Sequence, residues 1–270
     1  MFFKIFPKAD AEKNKLCKKI LKKVLCFLLT FVFIFPFTKT AFAELGSGET
    51  EADVIRFVAI GNSITLTPGV LDDGTNWWNN CGMAASEPQN DWVRTLAELL
   101  SQNRTRHVIY ESQYIGANSF GEIEFKKQMI YEKLNPNIDL VTYELTENLL
   151  HDAKNLMLMN DVFTDLIDRT KEKAPNAQIV LIGSFWDRKD TTEPLLKLIA
   201  QFNNVSYVSL EVLWNNPLFK SQIGAQILGR DGRMHSIDMQ GVADHPNDFG
   251  HSYIANAVYM EFLKHHPNGY

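Results

Sequence analysis

The sequence predicts an α/β fold, a three-layer α/β/α sandwich around a central parallel sheet of about five strands. Three observations lead there. Short, β-branched apolar runs alternate with amphipathic segments of helical period. Runs such as Ile179-Val180-Leu181-Ile182 lack the in-out alternation of a half-exposed sheet and suit strands buried on both faces. No internal repeat or low-complexity tract breaks the pattern, so residues 54–266 read as one domain.

In chain order, Val54 to Ile60 is a β-branched strand that stops at Gly61. Trp92 to Leu100 has helical period, and His107 to Tyr110 is the second strand. A helix over Ile123 to Leu134 precedes a strand over Ile138 to Leu145. A helix over Val162 to Lys173 then precedes a strand over Gln178 to Phe185. In the next helix, Glu193 to Phe202, Pro194 falls in the first turn, where its missing N–H is harmless. Val205 to Leu210 is the fifth strand. The last helix runs from about Phe249 to His265, with Asp248 as the expected N-cap.

The chain of 270 residues carries a net charge of -5, which conceals an asymmetry. Residues 1–43 hold nine Lys against two acidic residues, a balance of +7, and the remaining 227 residues carry -12. Lys13 to Lys23 precede an apolar run, Val24 to Phe37, and Ala41-Phe42-Ala43 follows. A basic segment, an apolar stretch and an A-x-A site describe a secretory signal peptide cleaved after Ala43. The run is shorter than the ~20 residues that span a bilayer. The mature chain is therefore expected to be secreted or periplasmic, without stable membrane insertion, after a polar linker over 44–53. An acidic body is a poor partner for nucleic acid, whose phosphates require clustered Lys and Arg. Cys17 and Cys26 leave with the leader. Cys81, left alone, cannot form an intramolecular disulfide and reads as a small packing residue.

Sites in open α/β sheets lie at the carboxyl ends of strands. The loop after the first strand reads Gly61-Asn62-Ser63-Ile64-Thr65, and a serine there becomes nucleophilic only if a base takes its proton. The base candidate is His245 in Asp244-His245-Pro246-Asn247-Asp248-Phe249-Gly250-His251, just ahead of the last helix. A metal set of His245, His251, Asp244 and Asp248 is the competing reading, disfavoured because Asp248 is taken as a helix cap. Asn148, at another strand end, can aim its side-chain N–H at a developing oxyanion, and Gly121 offers a backbone N–H.

These blocks, in this order from Ile60 to His251, resemble the SGNH/GDSL hydrolases. Ser63 in Gly-Asn-Ser-Ile-Thr resembles the family's nucleophile, with Asn62 where many members have Asp. Gly121 resembles the second-block glycine, Asn148 the third-block asparagine, and His245 in His-Pro-Asn-Asp-Phe-Gly-His the final-block histidine. The resemblance implies a flavodoxin-like α/β/α fold and ester hydrolysis through a serine acyl-enzyme, with the Ser63 and Gly121 amides and Asn148 as oxyanion donors. It implies no metal and no organic cofactor.

Two positions depart from the pattern. Thr146 replaces a glycine, and Val242 occupies the position of the usual aspartate. Asp244, Asp238 or a backbone carbonyl could orient His245, or the site could work as a Ser-His dyad. Trp77-Trp78, Gly82-Met83-Ala84-Ala85-Ser86 and Asp91-Trp92 resemble a bacterial subgroup of the superfamily. Trp78 and Trp186 are expected to line the substrate cleft, as a sugar platform or an acyl-pocket wall. The reading is an exported esterase removing short acyl groups, O-acetyl from carbohydrate above all. Its rivals are an O-acetyltransferase using the same site and a glycan-binding relative that has lost the triad acid.

Overall fold

The computed structural model describes residues 54–69, 77–102, 107–149 and 152–266. The expected leader (1–43) and linker (44–53) lie outside the described residues. Strand β1 (Val54–Gly61) leads through helix α1 (Trp92–Gln102) to β2 (His107–Tyr114). Then follow α2 (Phe120–Tyr131), β3 (Leu140–Glu144), α3 (Ala153–Lys173), β4 (Gln178–Ile182), α4 (Thr192–Phe202) and β5 (Ser206–Val208). A small hairpin of β6 (Gln226–Leu228) and β7 (Met234–Ser236) precedes a single turn, α5 (Gln240–Ala243), and the final helix α6 (Asp248–His265).

The five expected strands form one parallel sheet in the order β2-β1-β3-β4-β5. Side chains alternate across it. Val58, Ile60, Val141, Tyr143, Ile179 and Leu181 pack on one face against α2, α3 and α4. Phe57, Ala59, Leu140, Val180 and Ile182 pack on the other against α1 and α6. Both faces are thus covered, which is why β3 is buried at every residue and its sequence shows no alternation.

The chain leaves β1 toward β2 and returns to place β3 on the other side of β1. The strand order therefore reverses between β1 and β3, and a crevice opens above their carboxyl ends. Gly61 pairs with Glu144 there.

Several boundaries differ from expectation. β2 runs on to Tyr114, because every residue from His107 pairs with β1 although this edge strand is largely exposed. α3 starts at Ala153, capped by Asp152, whose side chain accepts from Asn155 N. Asp248 is not the cap of the last helix. Asn247 is, its side chain accepting from Gly250 N at 3.0 Å, while Asp248 is the first helical residue and turns toward Ser86. No helix among the described residues is long and apolar enough to cross a membrane.

Candidate active site

Ser63 occupies a tight turn at the end of β1, closed by Thr65 N and Leu66 N donating to Asn62 O, both at 3.0 Å. Only glycine fits at position 61, since a Cβ there would collide with the Thr65 side chain and lie 2.8 Å from Glu144 Oε2. The turn is fastened on several sides. Asn62 Oδ1 accepts from Ala117 N at 3.2 Å, and Thr65 Oγ1 donates to Glu144 Oε2 at 3.0 Å. Ser63 O accepts from Thr67 Oγ1 at 2.9 Å and from Met83 N at 2.8 Å.

The Ser63 hydroxyl lies 2.7 Å from His245 Nε2, across 182 residues of sequence. On the far side of the ring, Nδ1 lies 2.7 Å from the main-chain oxygen of Gly241. A carbonyl only accepts, so Nδ1 carries the proton, Nε2 presents its lone pair, and the Ser63 hydroxyl donates to it. The group that orients His245 is thus a backbone carbonyl. It is available because α5 is one turn long, and the last carbonyls of a helix have no intrahelical partner. Val242, at the position of the usual acid, is buried with Trp77, Met83 and Ala84. Neither aspartate bonds to the ring. Asp244 accepts from Gln240 Nε2, and Asp238 is exposed.

Burial holds the His245 pKa down at about 4, outweighing the opposing pull of the Gly241 carbonyl. The imidazole is therefore neutral and able to accept a proton over the whole physiological range.

Trp186, just past β4, meets His245 edge-on, with ring centroids 5.3 Å apart and planes at 90°. Trp78 stacks on His235 at 4.7 Å and lines a cavity of about 340 Å³ with Gly69, Trp77, Arg230, Asp231 and His235. Asn148 is exposed on the turn after β3. Gly121 lies in the exposed first turn of α2, among amides that a helix leaves without an internal acceptor. The part of this loop that touches the Ser63 turn is Ile115 to Ala117, where Gly116 adopts a φ of 57°. Cys81 is fully buried, its thiol pushed up to about 12 chiefly by burial, which fits packing rather than nucleophilic chemistry.

Sequence reasoning passed over the groups that hold the Gly82–Ser86 segment beneath Ser63. Asp91 Oδ2 accepts from Gly82 N at 3.2 Å and also pairs with Arg94. His251 Nε2 lies 3.0 Å from Met83 O, and Asp248 accepts from Ser86 N and Oγ at 2.8 and 2.6 Å. His251 and Asp248 thus serve this segment, and no cluster among the described residues could hold a metal ion. Glu144 and Glu147 were passed over as well. Glu147 accepts from Ser184 Oγ at 2.9 Å and from Phe185 N. Their sequence signal was two acids three residues apart at the end of an apolar strand.

No protein-family model and no curated protein sequence matches this chain. Solved structures do match it. A two-domain esterase (CEX) active on acetylated mannans aligns with a TM-score of 0.51 at 16% identity, over 79% of this chain and 50% of that one. This chain thus spans half the length of that protein. A single-substitution variant of Axe2, an acetyl xylan esterase from Geobacillus stearothermophilus, aligns with a TM-score of 0.50 at 18% identity, over 79% of this chain and 97% of that one. A candidate GDSL-like lipase from Parabacteroides merdae ATCC 43184 aligns with a TM-score of 0.50 at 16% identity, over 78% and 95% of the two chains. The sheet order, the serine turn at the switch point and these alignments agree: the chain has the SGNH/GDSL hydrolase fold.

Proposed function

We propose that the protein is an exported serine esterase that removes short acyl groups, chiefly O-acetyl, from carbohydrate. The observation that carries this reading is the chain of contacts Ser63 Oγ, His245 Nε2, His245 Nδ1 and Gly241 O, with both hydrogen bonds at 2.7 Å. His245 takes the hydroxyl proton as Ser63 Oγ attacks the ester carbonyl. The tetrahedral oxyanion is met by the Ser63 amide, the Gly121 amide and the Asn148 side chain. On collapse, His245 returns the proton to the departing sugar oxygen and the acyl group stays on Ser63. Water then attacks the acyl-enzyme, losing a proton to His245, and the carboxylic acid leaves as Ser63 is reprotonated. No step calls on a metal or an organic cofactor.

A neutral carbonyl fixes the tautomer as an aspartate would, but it offers less to the imidazolium formed in the transition state. Catalysis on this reading leans on orientation and on the oxyanion donors. Carbohydrate is the favoured substrate because Trp186 packs on His245 and the N-terminal residues have the pattern expected of an export signal. The mannan and xylan activities of the two esterases with this fold point the same way.

The test is hydrolysis of p-nitrophenyl acetate and of an acetylated oligosaccharide by wild type and by Ser63→Ala. Turnover lost in the variant supports the reading; equal turnover sinks it. Free acetate in excess over acetylated acceptor marks a hydrolase, and the reverse ratio a transferase.

A further inference from the structure

Two carboxyl groups meet in the crevice between β1 and β3, and the mechanism above uses neither. Glu144 and Glu147 are 1% and 2% exposed. Glu144 Oε2 accepts from Thr65 Oγ1 at 3.0 Å and from Asn62 N at 3.4 Å, on the two sides of Ser63. Glu144 Oε1 is buried and receives no N–H or O–H donor among the described residues. The neighbouring acid is Glu147, three residues on and close enough for its charge to act on the Glu144 carboxyl. Both Glu147 oxygens already accept, one from Ser184 Oγ and the other from Phe185 N.

Two buried neighbouring carboxyl groups cannot both stay charged without a large cost, and only Glu144 Oε1 has no donor of its own. We propose that Glu144 is a positioning residue, a neutral carboxylic acid whose Oε1–H donates to the Glu147 carboxylate and so ties the nucleophile turn to the loop that carries Trp186. One oxygen of Glu144 grips Thr65 and Asn62. The other, through its proton and Glu147, reaches Phe185, whose neighbour Trp186 packs on His245. The two walls of the site are thereby joined by one proton.

The electrostatic surroundings agree. Burial and the Glu147 charge hold the Glu144 carboxyl well above the usual carboxylate range. Burial pushes Glu147 up to about 7, opposed by the Phe185 amide, the Ser184 hydroxyl and the charge of Arg188 from the loop after β4, all of which favour its ionised form. Arg188 Nη2 lies 3.5 Å from Glu147 O. From α4, Glu193 accepts from Ser184 N at 3.0 Å and is itself hydrogen-bonded by Tyr207 of β5. The turn from Asn62 to Thr65 contributes an amide and a hydroxyl but no charge.

The inference rests on the Ser63 reading for its kinetic readout, and a second readout is independent of it. We would compare wild type, Glu144→Gln and Glu144→Leu in background-corrected p-nitrophenyl acetate hydrolysis from neutral to alkaline pH. In Glu144→Gln the new side-chain amide donates to Glu147 and its carbonyl accepts from Thr65 and Asn62, so kcat/KM at neutral pH is expected to stay within about threefold of wild type. Glu144→Leu leaves Thr65 Oγ1 without its acceptor and removes the tie to Glu147, while Asn62 N keeps only the Glu144 main-chain oxygen at 3.2 Å, and it is expected to lose about 30-fold or more. Wild type is expected to lose activity on the alkaline side as the shared proton leaves, and Glu144→Gln, which has no such proton, to lack that fall.

The proposal is overturned if Glu144→Gln loses as much as Glu144→Leu, or if wild type shows no alkaline fall that Glu144→Gln lacks. Infrared spectroscopy of wild type at neutral pH should show the carbonyl band of a protonated buried carboxyl that Glu144→Gln loses. Its absence overturns the shared proton whatever the turnover. A band present in a protein that never turns over would count against the esterase reading alone.

Discussion

His245 Nδ1 donates to the main-chain carbonyl of Gly241 at 2.7 Å, where a catalytic triad would place a carboxylate. Because the acceptor is backbone, no side-chain substitution removes it, and the nearby acids are spectators. Asp244→Asn and Asp238→Asn are each expected to keep kcat/KM within about threefold of wild type. A fall of about 10³-fold or more in either would put that aspartate in the triad, as aspartate-to-asparagine exchange does in serine proteases.

The low pKa of His245 sets the acid limb. With the folded value at about 4 against an ordinary 6.5, kcat/KM should hold through mildly acidic pH and fall with a midpoint near 4. Stability moves in the same window. The unfolded chain takes up this proton first as pH drops, so the contribution from burying neutral His245 is full above about 6.5 and lost progressively toward about 4. Burial lowers His251 in the same direction. Thermal melts across that range, with His245→Gln as control, should show a weaker pH dependence in the variant.

How far the sequence carried this picture depends on the kind of group. The five-strand sheet was legible because strands buried on both faces are written as unbroken apolar runs, of which Ile179 to Ile182 is the plainest. Ser63 and His245 were legible because their motifs lie at a strand end and before a helix. The far end of β2 was not, since Glu111, Ser112 and Gln113 owe their strand conformation to pairing with β1 rather than to burial. The partner of His245 could be narrowed but not chosen, because a backbone carbonyl has no letter of its own. Asp248 and Asn247 were exchanged as cap because both can cap a helix, and only the attraction of Ser86 for Asp248 decides between them.

The second histidine of the last motif is a brace. His251 is fully buried and meets Met83 O at 3.0 Å, while Met83 N donates to Ser63 O. His251→Ala is expected to cost about 2 kcal/mol or more, lowering Tm by about 4–8 °C. Its kcat should fall far less than that of His245→Ala. Differential scanning calorimetry and steady-state kinetics on one preparation would separate the two effects.

Asn148 stands exposed at the carboxyl end of β3, free to meet a bound substrate. In Asn148→Ala, kcat should fall about 10²–10³-fold with little change in KM, the pattern of a donor used in the transition state. A change confined to KM would place Asn148 in ground-state binding.

Trp186 covers the edge of His245 and Trp78 the about 340 Å³ cavity, so their truncations should differ. Trp186→Ala is expected to impair p-nitrophenyl acetate and acetylated oligosaccharide alike. Trp78→Ala should raise KM for the oligosaccharide by about 10-fold, the cost of one lost stacking contact, and leave the small ester unchanged. Equal effects of Trp78→Ala on both esters would remove it from sugar binding.

The central claim is that the 2.7 Å contact with His245 makes Ser63 a nucleophile. A fluorophosphonate probe reads this without any assumption about substrate. Intact-mass analysis and peptide mapping should find one adduct per chain, on Ser63, with labelling strongly slowed in His245→Ala. Folded wild type that stays unlabelled, or an adduct on another residue, would contradict it.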